Sequence, residues 1–163
     1  MGTRAVYFFE DSKDLYGVYK HYDGYPQGAA DHIEKAKAYA WPLPRWEADE
    51  FAAAFVAANK NPKGGEVRLL PNFEHTSIPM MMEEYKWCDF YYIISWDDYD
   101  KDIFVTIFEC RYDEKLETQY WHETASMRPV SYTHLTLPTN KVVSVSVGGG
   151  CDQMGGGGGG GGG

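Results

Sequence analysis

The sequence predicts an α+β fold on a mainly antiparallel sheet. Three observations lead there. Two short runs rich in β-branched and aromatic residues, Arg4 to Glu10 and Leu15 to Tyr22, flank the turn cluster Asp11-Ser12-Lys13-Asp14. Two apolar-periodic stretches at helical spacing follow, one on each side of Trp41-Pro42-Leu43-Pro44. The chain then returns to alternating aromatic and aliphatic runs separated by acidic turns. Strands, then helices, then a meander read as α+β.

The first two runs form a hairpin. A period of two puts Tyr16, Val18, Lys20 and Tyr22 on one face of its second strand, and Leu15, Gly17, Tyr19 and His21 on the other. Asp23-Gly24-Tyr25-Pro26 ends that strand, and Gly24 suits a position of positive φ. A helix follows from about Pro26 or Gly28 to Tyr39 or Ala40, with Ala30, Ile33, Ala36, Lys37 and Ala40 marking its buried stripe. The prolines after Trp41 stop it.

Trp46 to Lys60 is the second helix. Phe51, Ala54, Phe55 and Ala58 fall at i, i+3, i+4 and i+7, and Glu47, Asp49 and Glu50 oppose the positive end of its dipole. Asn61-Pro62-Lys63-Gly64-Gly65 terminates it. Glu66 to Leu70 is a short strand, and Pro71 to Met82 is a loop with one helical turn at most. Tyr85 to Trp96 and Ile103 to Tyr112 make the clearest hairpin, joined by an acidic turn from Asp97 to Asp102. Asp113-Glu114-Lys115 turns the chain once more into a last strand, Leu116 to Glu123.

Composition narrows the function classes. The net charge is −9, and because Lys141 and Asp152 cancel, all of it sits before residue 129. An acidic domain argues against a nucleic-acid backbone binder, which needs a basic face. No apolar run is long enough to span a bilayer, and the start lacks a basic segment followed by an apolar stretch. The expectation is a cytoplasmic protein with no nucleic-acid or membrane partner. Aromatic residues make up 16% of the chain, enough for broad amphipathic surfaces that suit a protein partner.

Three blocks carry a resemblance. Met1 to Ala5, Lys20-His21-Tyr22-Asp23-Gly24-Tyr25-Pro26-Gln27-Gly28-Ala29, and Trp41-Pro42-Leu43-Pro44-Arg45-Trp46 running on to Lys60 together resemble a family of uncharacterised proteins of bacteria and their phages. The match spans about the first half of the chain. It implies a small phage-type protein and assigns no catalytic roles. A second resemblance concerns the tail. Val130-Ser131-Tyr132-Thr133-His134-Leu135-Thr136-Leu137-Pro138-Thr139 is similar to one translated frame of a transposase mosaic-end sequencing adapter, and Gly155 to Gly163 to a run of G base calls. The expectation is one domain over residues 1–128, cut short at its C-terminus, and a non-native tail over 129–163.

The stretch Val18 to Ala29 is the candidate site. A helix N-terminus leaves amides unpaired and favours an anion. Lys20 lies just before it and Arg4 starts the paired strand, so a phosphate or carboxylate over Gly28 could be held by Arg4, Lys20 and Tyr25. Turn chemistry alone also accounts for Asp23, Gly24 and Pro26. Lys20 and His21 point to opposite faces and cannot both serve one site unless the strand bends. His21 and Asp23, at i and i+2 on one face, are the pair a carboxylate-oriented base requires, and they define the alternative: a hydrolase-type enzyme. No nucleophile motif accompanies them.

No metal or cofactor is expected. His75, His122, Cys88 and Cys110 are scattered, and the Asp97–Asp102 turn lacks the glycine and distal glutamate of a calcium loop. Cys88 and Cys110 are expected to lie nearly opposite each other across the hairpin as two buried thiols. The leading expectation is a non-enzymatic binding or accessory protein taking a protein partner or a small anionic ligand.

Overall fold

The computed structural model describes residues 2–61, 66–71 and 78–128. The expectations for the tail past residue 128 and for His75 lie outside these residues. The fold is α+β: β1 (Ala5–Glu10), β2 (Leu15–Lys20), α1 (Pro26–Lys37), α2 (Ala48–Asn59), β3 (Val67–Leu69), α3 (Ile78–Glu84), β4 (Phe90–Asp97), β5 (Asp102–Asp113) and β6 (Thr118–Met127). The six strands form one sheet in the order β3-β2-β1-β4-β5-β6. Every pairing is antiparallel except β1 with β4, which run parallel with Ala5 opposite Phe90.

Alternation along the strands divides the core in two. Ala5, Tyr7, Phe9, Val18, Tyr92, Ile94, Ile103, Val105 and Ile107 face α1 and α2. Val6, Phe8, Tyr19 and Tyr91 face the other way, toward Met81 of α3 and the following Tyr85 and Cys88. A sheet buried on both faces explains why β1 reads as an almost continuous apolar run. Phe51 and Phe55 of α2 anchor the first layer, with Phe55 packed on Tyr7 and Phe9 at ring separations of 4.6 and 5.2 Å.

Helix α1 buries Gly28, Ala29, Ala30, His32, Ile33 and Ala36. Lys37, expected in the stripe, is half-buried and pairs with Glu34 at 2.6 Å. The small residues of this face let α1 lie close to α2. The β4–β5 hairpin has the expected turn, with Trp96 opposite Ile103 and Asp97 opposite Asp102.

Two local expectations are corrected. The left-handed residue of the turn after β2 is Asp23, at φ 58°, and not Gly24. Glycine is needed at 24 for space: a Cβ there would fall 2.6 Å from the Cβ of Ala5 and 2.8 Å from the Thr3 carbonyl oxygen. The cysteines do lie nearly opposite each other, since the Cys110 amide donates to the carbonyl of Asp89, the neighbour of Cys88, at 3.0 Å, but only one of the two thiols is buried. Cys88 precedes β4 and is buried, while Cys110 on β5 opposes Trp121 of β6 and directs its thiol to the Lys86 carbonyl. Both thiols are free.

Candidate functional site

The turn between β2 and α1 is held from three sides. The Gly24 amide donates to the Thr3 carbonyl at 2.8 Å, and the buried Tyr92 hydroxyl donates to the Gly24 carbonyl at 2.5 Å. Gly28 packs beneath the turn, where a Cβ would lie 2.1 Å from the Asp23 carbonyl oxygen. The space over Gly28 is thus filled by backbone. Tyr25 sits at the helix N-cap, makes no side-chain cap bond and is exposed.

The residues singled out in the sequence separate onto the two faces of the sheet. Lys20 is only 5% exposed and lies on the α1 side, with Nζ donating to the Tyr22 carbonyl at 3.2 Å. Burial lowers its pKa, the Asp23 carboxylate opposes that shift, and Lys35 adds to it. Beside it the buried His32 shares a 3.3 Å hydrogen bond between Nδ1 and the Tyr7 hydroxyl. Burial, reinforced by Lys20 and Lys35, pushes His32 down to about 3, so its ring is neutral at ordinary pH. Asn59 donates to the carbonyls of His32 and Phe55 and ties the two helices together.

His21 lies on the α3 side. Its Nδ1 is 2.7 Å from the Tyr19 hydroxyl and 3.6 Å from Glu66 Oε1. Arg4 acts on that side too: its charge bears on the Tyr19 hydroxyl and the Cys88 thiol, which burial nonetheless pushes up to about 12. Asp23 instead bears on Tyr7 and Lys20, toward α1. The structure therefore unites neither Arg4 with Lys20 nor His21 with Asp23. Strand alternation forces the first separation, and the left-handed turn at Asp23 produces the second.

What the α3 side does bring together is a groove of about 400 Å³, in which Tyr19, His21, Glu66, Arg68, Tyr85 and Trp87 take part. Trp87 is half exposed, with its ring centroid 5.4 Å from Tyr19 and 6.0 Å from Tyr85. The Arg68 guanidinium stands 5.8 Å from the Tyr19 ring centroid and is ion-paired with Glu66. The Arg68 hydrogen bond holds the Glu66 carboxyl below its usual range. Of these residues the candidate stretch held Tyr19 and His21, and only His21 was given a role. Arg68, Tyr85 and Trp87 come from β3 and the segment after α3, and no local pattern says that these meet β2.

Among the described residues no three His, Cys, Asp or Glu side chains gather as a metal-ligand set. The acidic β4–β5 turn is instead clasped by Arg128, whose Nη2 lies 2.7 Å from Asp97 and 2.6 Å from Asp100. No described helix is long and apolar enough to cross a membrane. No family model, curated protein or solved structure matches this chain.

Proposed function

We propose that this is a non-enzymatic binding protein whose ligand enters the groove between β3 and the segment after α3. The carrying observation is convergence: three aromatic rings, an imidazole and a guanidinium from three separate parts of the chain line one concave surface. Exposed indole and guanidinium groups are the side chains that most often anchor binding. The hydrolase alternative requires Asp23 to orient His21, and these two act on opposite sides of the sheet. Among the described groove residues there is no serine or cysteine.

The sequence expectations of a cytoplasmic location and of kinship with phage-type proteins belong to the same proposal, and they rest on composition and resemblance alone. The acidic balance favours a small ligand or a protein over nucleic acid.

Titration of the full chain with phenol, an uncharged planar probe, followed by amide chemical shifts, tests the site. The expected result is saturable shifts at residues 19, 21, 68 and 87. Shifts confined to other surfaces, or none at millimolar phenol, would discard the groove as the binding site.

A further inference from the structure

We infer that the groove takes a planar aromatic ligand that carries an anionic group. The inference rests on the binding reading above and names the chemistry of that ligand. The flat component follows from the rings: Tyr19 and Tyr85 are buried, whereas Trp87 leans over them with half its surface open. A ring sliding against that indole would bury apolar area on a surface that already excludes water beneath it.

The charge follows from the hydrogen-bond inventory. Two of the five guanidinium N–H donors of Arg68 go to Glu66, through Nε and Nη2. The others have no partner among the described residues. The Trp87 indole N–H likewise has no described acceptor. The Tyr19 hydroxyl and His21 Nδ1 share one hydrogen bond whose direction follows the imidazole tautomer, so His21 is left out of the count. Arg4 adds a positive field from the same side. Among the described groove residues there is one carboxylate, Glu66, and it is already engaged by Arg68 and neighboured by His21.

Among the described groove residues the free donors of Arg68 and Trp87 therefore exceed the free acceptors, and acceptor-rich anionic groups such as carboxylate or phosphate complement that balance. A cationic ligand would compete with Arg68 for both the Tyr19 ring and Glu66.

The test is calorimetric titration of the full chain with phenyl phosphate, phenol, inorganic phosphate and benzyltrimethylammonium. Phenyl phosphate is expected to bind at least about tenfold tighter than either phenol or inorganic phosphate, as one charge-assisted hydrogen bond would give. Arg68→Gln should erase that gain, so that phenyl phosphate binds no tighter than phenol when both are measured on the same variant. Glu66→Gln should tighten phenyl phosphate binding severalfold by releasing Arg68. Both side chains are exposed enough that neither change threatens the fold.

Phenol binding with no advantage for phenyl phosphate overturns the anionic ligand and leaves the groove standing. So does a preference for benzyltrimethylammonium that Glu66→Gln weakens. If no aromatic probe binds, or if phenyl phosphate binds with the same affinity after Arg68→Gln, the inference fails; in the first case the groove reading falls with it.

Discussion

Tyr91 and Tyr92 are neighbours on β4, both fully buried, and their hydroxyls have opposite fates. Tyr92 donates to the Gly24 carbonyl and locks the turn after β2. Tyr91 stacks on Phe8 at 4.6 Å, and its hydroxyl has no hydrogen-bond partner among the described residues. A buried polar atom without a partner costs about 1–3 kcal/mol, so the two phenylalanine variants should diverge. Tyr92→Phe is expected to lower stability by about 1–2 kcal/mol, since it also orphans a carbonyl. Tyr91→Phe should be neutral, or stabilising by up to about 1 kcal/mol. Urea midpoints at unchanged slope would read both. Strand alternation puts these tyrosines on opposite faces of the sheet. It could not say which hydroxyl finds an acceptor, because Gly24 is 68 positions away.

At the scale of elements, the helices and the β4–β5 hairpin were legible because their signals are local. Helical spacing marked Phe51, Ala54 and Phe55, and acidic turn residues marked the hairpin tip to within one residue on each strand. At the start of α2, Asp49 and Glu50 lie in the first turn as expected and oppose the positive end of the dipole, but the N-cap residue Glu47 makes no side-chain cap bond. Asp11, at the β1–β2 turn, supplies the cap instead: Oδ2 accepts the Ala48 amide at 2.9 Å, and Oδ1 accepts those of Lys13 and Asp14 at 2.8 Å each. One carboxylate thus shapes a hairpin and starts a helix 37 residues on. Burial works to raise its pKa, and the three amides outweigh burial and lower it. Asp11→Ala is expected to cost about 1 kcal/mol. A group whose folded pKa is lowered contributes above its unfolded value, about 3.9, and that contribution disappears as pH falls through the folded one. The wild-type and Asp11→Ala urea midpoints should therefore differ at pH 7 and converge toward pH 2.

For the whole molecule, the parallel join of β1 to β4 is the feature that no local pattern announced. Each hairpin was readable alone, but their assembly depends on contacts 85 residues apart, and so does the groove that joins β2 and β3 to the segment after α3. The predicted anion site failed to assemble because Ala5, not Arg4, pairs with Lys20, which sends the two basic side chains to opposite faces, and because backbone fills the space over Gly28. At the other end, Arg128 ties β6 to the β4–β5 turn through Asp97 and Asp100 and donates to the Ile103 carbonyl at 3.2 Å. A chain ending at Arg128 is accordingly expected to melt no lower than the full chain by scanning calorimetry. A clear loss would show that residues past 128 contribute to the domain. The order of strands also has a consequence during synthesis. β1 is made first and sits in the middle of the sheet, yet its β4 neighbour leaves the ribosome on the order of 5–15 s later at ordinary elongation rates. Throughout that interval the nascent hairpin presents an unpaired edge beside Tyr7, Phe8 and Phe9, the kind of surface that trigger-type chaperones shelter and that crowded polysomes turn into aggregates.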